Sequence, residues 1–228
     1  MSASGSEKPV FLLSGGRQTG SGDMARQLAH ALGGLHKPHV AYIGAANGDN
    51  VLFYERMKSF LAQGGAGKVV FVRLAKKRID ADAAMEALSA ANVVFLAGGE
   101  VEDGMNWLRR HGLVDFLREL HGGGKQFVGV SAGTIMMGAH WVRWENPEDD
   151  ATAGLFDCLG LVPFVFDTHA EDEDWVELKT ALRLMGSGTL GYGVPSGGFV
   201  RADSQGKLAN LEKACLAFVN DGGQIRLL

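Results

Sequence analysis

The chain has 228 residues, with 22 basic and 26 acidic side chains, and its net charge of −4 argues against the broad basic surface that nucleic-acid binding wants. Glycine is over-represented, at 33 residues or about 14% against a usual ~7%, but five prolines and 46% hydrophobic residues exclude collagen-like and disordered chains. The glycines therefore belong in turns, where the backbone needs positive φ or close approach.

The first residues are small and polar, without the basic start and apolar run of a secretory signal. No stretch nears the ~18 apolar residues of a membrane span. Two cysteines, Cys158 and Cys215, are too few for a disulfide framework and point to a reducing compartment. The expectation is one cytoplasmic α/β domain over residues 1–228.

Residues 9–14 (PVFLLS) read as a strand and 23–32 as a helix. Residues 39–44 are a second strand and 51–63 a helix with apolar positions at Leu52, Phe53, Met57, Phe60 and Leu61. A strand at 68–74, a helix at 80–90 and a strand at 92–97 follow, then helix over 107–120 with a break near Gly112. Residues 126–130 are a strand and 132–140 a helix. Such alternation, with continuous apolar strands, implies a doubly wound, mostly parallel sheet covered on both faces. Residues 145–150 (ENPEDD) form a polar loop, and a helix is expected at about 174–184. From Thr189 to Leu228, short runs with Gly turns read as antiparallel hairpins extending the sheet, an edge at which a homodimer could form.

Gly129-Val130-Ser131-Ala132-Gly133 sits between the fifth strand and its helix, which is the context of a G-x-S-x-G nucleophile elbow. The turn is tight, so the neighbours of the serine must be small. The helix N-terminus then faces the hydroxyl, and the Ala132 N–H can donate to an oxyanion. Gly98 and Gly99 end the neighbouring strand, at the sheet edge where ligands bind, and the Gly99 N–H can complete that hole.

A serine nucleophile needs a base, and seven histidines are available. His30, His111 and His121 fall on early helices and read as solvated. His36 and His39 precede the second strand at its far end, and His140 ends the elbow helix pointing away. His169 remains, 38 residues after the serine, in a loop that follows the apolar run 161–166. Glu145, Asp149, Asp150 and Asp157 lie between the two and allow the order serine, acid, histidine; Glu145 is preferred.

Gly15-Gly16, residues 41–49 (AYIGAANGD) with Phe53-Tyr54-Glu55-Arg56-Met57, residues 95–99 (FLAGG) and Gly129 to Thr134 together resemble peptidase family S51, which includes dipeptidase E and cyanophycinase. The resemblance covers Lys8 to about His169. It implies a three-layer fold like the class I glutamine amidotransferases and a serine hydrolase of small peptides. It also implies Ser131 as nucleophile, His169 as base and Gly99 with Ala132 at the oxyanion. Neither cofactor nor metal is implied.

Three departures stand out. Glu100 replaces the usual Asn or Asp, and Gly193-Val194-Pro195-Ser196 stands where many relatives carry Gly-x-Asp-Glu. Ala170-Glu171-Asp172-Glu173-Asp174 follows His169, with no arginine before Arg183 to fork a substrate carboxylate. An acidic loop facing the site favours a cationic group instead.

Gly20-Ser21-Gly22-Asp23-Met24-Ala25 matches a dinucleotide-binding pattern, but no acidic strand end follows about 20 residues on. A non-catalytic binding protein on the same fold is the other alternative.

Overall fold

A computed structural model describes residues 8–16, 20–146 and 148–228. The polar start and residue 147 of the acidic loop lie outside it. β1 (Val10–Leu13), α1 (Ser21–Ala31), β2 (His39–Ile43), α2 (Val51–Gln63), β3 (Lys68–Val72), α3 (Ala81–Ala90) and β4 (Val93–Leu96) alternate as expected. They are followed by α4 (Val101–Arg110), α5 (Leu113–Gly122), β5 (Gln126–Val130) and α6 (Ala132–Met137). The C-terminal part holds β6 (His140–Trp144), β7 (Ala153–Asp157), β8 (Val165–Thr168), α7 (Val176–Met185), β9 (Leu190–Val194), β10 (Phe199–Ala202), β11 (Leu208–Glu212), β12 (Leu216–Asp221) and β13 (Gln224–Leu227).

The central sheet runs β11-β10-β1-β5-β4-β2-β3, with the last five strands parallel. Its inner strands β4 and β5 are buried at every position because both of their faces are covered. Along β4, Val93 and Phe95 pack with Leu28, Met57 and Leu61 of α1 and α2, while Val94 and Leu96 pack with Leu108 of α4 and Leu117 of α5. Local chemistry starts the helices where the sequence suggests. Asn50 accepts the Phe53 N–H at 3.0 Å to cap α2, and Asp80 accepts that of Ala83 at 2.9 Å to cap α3.

The register levels the carboxyl ends of the central strands. Leu13 of β1 lies opposite Val130 of β5, and Leu96 of β4 opposite Gly129. Residues just after these strands therefore meet at one edge: Gly15 and Gly16, Gly98 and Gly99, and Ser131.

Four expectations needed correction. Helix begins at Val101, six residues before the expected start, and divides at Gly112, whose φ is +68°. Gly104, a poor helix former, weakens the local helix signal there, yet it is buried where a Cβ would lie 2.7 Å from Met136 Sδ. α6 stops at Met137 rather than at residue 140. His140 instead opens β6, which pairs with β7 in a hairpin, and its Nδ1 lies 3.0 Å from Asp157.

The tail only partly extends the central sheet. β10 and β11 do so, but β9, β12 and β13 join β8 in a separate four-stranded sheet. α7 supplies the apolar side chains that this second layer needs: Leu178, Ala181 and Leu182 pack on Val165, Val142 and Phe218. Finally, His121 is buried, with Nε2 2.9 Å from the Lys8 carbonyl, and His111 is half-buried against that of Leu74. Among the described residues, no helix is long and apolar enough to cross a membrane.

Candidate active site

Ser131 occupies a sharp turn between β5 and α6, with φ +53° and ψ −123°. A non-glycine residue reaches such a conformation only when its surroundings hold it there. Here the Ser131 N–H donates to Leu13 O at 2.9 Å, tying the turn to β1. Thr134, fully buried, donates its hydroxyl to Leu13 O at 2.8 Å and to Gly129 O at 3.0 Å. The Ser131 carbonyl accepts the Thr134 and Ile135 N–H groups that start α6.

Close backbone approach explains the glycines. A Cβ on Gly133 would lie 2.1 Å from the Leu96 carbonyl oxygen, and one on Gly129 would lie 2.6 Å from that of Gly133. Gly133→Ala is accordingly expected to destabilise the fold by about 3 kcal/mol, because rigid backbone must move. A lowered urea midpoint at unchanged m-value checks it.

His169 follows β8, with φ +46°, and its N–H donates to Val194 O at 3.0 Å. The Ser131 hydroxyl lies 2.8 Å from His169 Nε2, so the two residues that the sequence paired do meet. Gly16 makes room for the ring's backbone, since a Cβ there would lie 3.2 Å from His169 Cβ.

Gly98 and Gly99 stand on the other side of the serine. A Cβ on Gly98 would lie 3.1 Å from Ser131 Cβ. Gly99 has φ +145°, and a Cβ there would lie 2.1 Å from Ala46 O, so only glycine fits. This turn is held by Glu100 N–H donating to Ala46 O at 2.7 Å and by the Asn47 amide donating to Gly98 O at 2.8 Å. Neither the Gly99 nor the Ala132 N–H is used in a turn, loop or cap hydrogen bond among the described residues. Ala132 opens α6, so its N–H is one of the unpaired donors of a helix start.

Two clefts flank Ser131. One, of about 300 Å³, is largely apolar, with Met24, Phe53, Met57 and Phe60, and carries Arg56 and Asn47. The other, of about 170 Å³, lies between the serine–histidine pair and α7 and is acidic, with Glu100, Asp167, Glu173 and Glu177. Burial, with Glu177 beside it, pushes the Asp167 carboxyl up to about 7.

The structure does not bring Glu145 to the pair. It is exposed on the β6–β7 hairpin, and no carboxylate among the described residues hydrogen-bonds the His169 ring. Asp149 caps the short turn at Asp150–Thr152, Asp150 lies exposed within it, and Asp157 faces His140. Glu171, two residues past His169, instead accepts the Ser196 N–H and, at 3.4 Å, the Ser196 hydroxyl. Ser196 shares with His169 the space against Gly16. The placements of Glu171 and Asp167 had no local sequence signal, because each depends on contacts made across the fold. Gly20 of the dinucleotide-like pattern caps α1 and lines the apolar cleft.

A serine–histidine pair on a strained strand-to-helix turn, at the carboxyl edge of a parallel sheet, is the arrangement of α/β serine hydrolases. The family model for peptidase family S51 matches residues 10–207. The chain is 31% identical over 166 residues to peptidase E of Streptomyces coelicolor, covering 72% of this chain and 65% of that one. It is also 31% identical over 84 residues to peptidase E of Shewanella denitrificans, 37% of this chain and 35% of the relative. The matches thus span less than two thirds of these relatives' length. A solved peptidase from an acI-B1 Actinobacterium shares the fold with a TM-score of 0.68 at 16% identity, over 97% of this chain and 93% of that one. A Listeria monocytogenes protein provisionally named peptidase E does so with 0.68 at 18%, over 91% and 99%. The chain belongs to peptidase family S51, a family of serine peptidases.

Proposed function

We propose that this chain hydrolyses a small peptide or isopeptide through an acyl-enzyme formed on Ser131. The observation that carries the reading is the 2.8 Å contact between Ser131 Oγ and His169 Nε2 on the strained turn. Ser131 attacks the scissile carbonyl while His169 Nε2 takes the hydroxyl proton, then passes it to the leaving amine. The Gly99 and Ala132 N–H groups stabilise the tetrahedral oxyanion, with Gly98 beside them; each such donor contributes roughly 3–4 kcal/mol to lowering the barrier. Water, deprotonated by the same histidine, releases the acyl group.

The cysteines do not compete for the nucleophile's role. Burial pushes the thiols of Cys158 and Cys215 up to about 12, and neither lines the two clefts. Both are unpaired, which fits a reducing cytoplasm.

Covalent labelling with a fluorophosphonate tests the reading. Wild type is expected to label at one site. Ser131→Ala should not label, and His169→Ala should label at least 100-fold more slowly, since general-base help is worth about 10²–10⁴. An unlabelled wild type would move the chain to the non-catalytic binding alternative.

A further inference from the structure

The two clefts at the serine are unlike, and the direction of the reaction divides the substrate between them. Gly99 and Ser131 line both, but His169 and Ala132 line only the acidic one. His169 Nε2, 2.8 Å from the Ser131 hydroxyl, is the group that protonates the leaving amine. The leaving part of the substrate therefore sits on the histidine's side. The acyl part, whose carbonyl carbon Ser131 attacks, is left with the apolar cleft.

That cleft has little polar chemistry to offer. Among the described residues, no acidic side chain lines it. The Asn47 side chain is already committed: its amide donates to Gly98 O at 2.8 Å, and its Oδ1 accepts the Asn50 N–H at 3.1 Å. Arg56, the one charged side chain among the described residues there, is exposed. Its guanidinium carbon stands 5.6 Å from the centre of the Phe60 ring, a contact that holds the cation on an aromatic face.

The remaining side chains are apolar and partly open. α2 carries Phe53, Met57 and Phe60 at spacings of four and three residues, which align on one face of a helix. Met57 and Met24 of α1 are buried and belong with Val130 to the core, whereas Phe53 and Phe60 pack on that core and stay half-exposed. A side chain that enters here takes apolar surface from water on both partners. The volume, about 300 Å³, is that of a small ligand pocket. Methionines adapt to the shape they meet, so the lining suits Phe, Met and Leu alike. An aspartate would give up its hydration for one exposed arginine, which is a poor exchange.

We infer that the apolar cleft is the acyl-side specificity pocket, and that the residue supplying the scissile carbonyl carries a large apolar side chain such as Phe, Met or Leu. This deepens the serine-hydrolase reading and rests on it.

The test uses α-aminoalkyl diphenyl phosphonates with the side chain of Phe, Ala or Asp. Ser131 Oγ bonds to phosphorus, phenoxide leaves, and the serine proton passes through His169 to it. These compounds report the acyl side without any peptide leaving group. Wild type is expected to react about 30-fold faster or more with the Phe compound than with the Ala one, since a single methylene in such a pocket is worth roughly tenfold or more. The Asp compound should gain nothing over Ala. Dipeptides give the direction: Phe-Ala should exceed Ala-Ala in kcat/KM by a similar factor, and Ala-Phe should stay within about threefold of Ala-Ala. In Phe53→Ala and Phe60→Ala the preference for Phe over Ala should fall by about fivefold or more. The wild-type series decides alone if either variant fails to fold.

Fluorophosphonate labelling separates the possible failures. A wild type that takes the fluorophosphonate, yet reacts no faster with the Phe phosphonate than with the others, overturns the pocket and leaves the hydrolase reading standing. So does a preference for Ala-Phe over Phe-Ala, which would put the apolar cleft on the leaving side. An unchanged preference in both folded variants places the selectivity elsewhere and also overturns the assignment. A wild type that takes no fluorophosphonate overturns the hydrolase reading, and the inference falls with it.

Discussion

Ser131→Ala is expected to lower kcat/KM for peptide hydrolysis by about 10⁵–10⁶-fold, a barrier increase of roughly 7–8 kcal/mol. The effect is large because Ser131 is the hydroxyl in contact with the His169 base, and burial pushes the thiols of Cys158 and Cys215 up to about 12. Stability should change by less than about 1 kcal/mol. Among the described residues the serine hydroxyl's hydrogen bond is to His169, and the turn is held by backbone bonds and Thr134 rather than by that hydroxyl. His169→Ala should cost nearly as much activity. The double variant should lose little more, since nucleophile and base act as one unit. Progress curves on purified variants check this, and a deficit under tenfold for Ser131→Ala would remove it from the nucleophile's role.

Asp167 controls the second large effect, on stability rather than rate. Its carboxyl is pushed up to about 7 in the folded chain, mainly by burial and then by Glu177, against 3.8 for the exposed group. Below about pH 4 both folded and unfolded chains carry the proton, and the group is neutral in the balance. Between about 4 and 7 the unfolded chain ionises while the folded one keeps its proton, so stability falls as pH rises. Above 7 the full cost is present, on the order of 4 kcal/mol at 1.36 kcal/mol per pH unit. Asp167→Asn removes this titration. Its stability relative to wild type should rise by on the order of 3 kcal/mol between pH 4.5 and 7.5, as read by urea unfolding at the two values. A constant difference across that range would show that Asp167 is ionised normally.

Much of the central sheet was legible because its signals are local. The apolar runs within 39–43 and 93–96 needed no context, since both faces of those strands are covered. Ser131 and His169 were legible for a related reason. A strand, a turn of small residues and a helix place a hydroxyl at the sheet edge whatever surrounds them. By elimination, only one histidine followed a late strand at that edge. The start of α4 was missed because Gly104 is a poor helix former, and its advantage lies in close contact with Met136. Glu145 was placed with the histidine on chain order alone, and order along a loop says nothing about direction in space.

The sequence by itself determined the alternating architecture, the strained turn at Ser131 and its pairing with His169. Each follows from periodicity, residue size and a short list of candidates. Only the tertiary structure decided which sheet the C-terminal strands join. Strand pairing over tens of residues is settled by which faces can be buried together, here against α7. It also decided where the acids go. Glu145 points to solvent, Glu171 turns back to Ser196, and Asp167, Glu173 and Glu177 gather beside the serine. A carboxylate looks the same in sequence whether solvated or buried. Its charge acquires chemical meaning only when packing removes water and sets its neighbours.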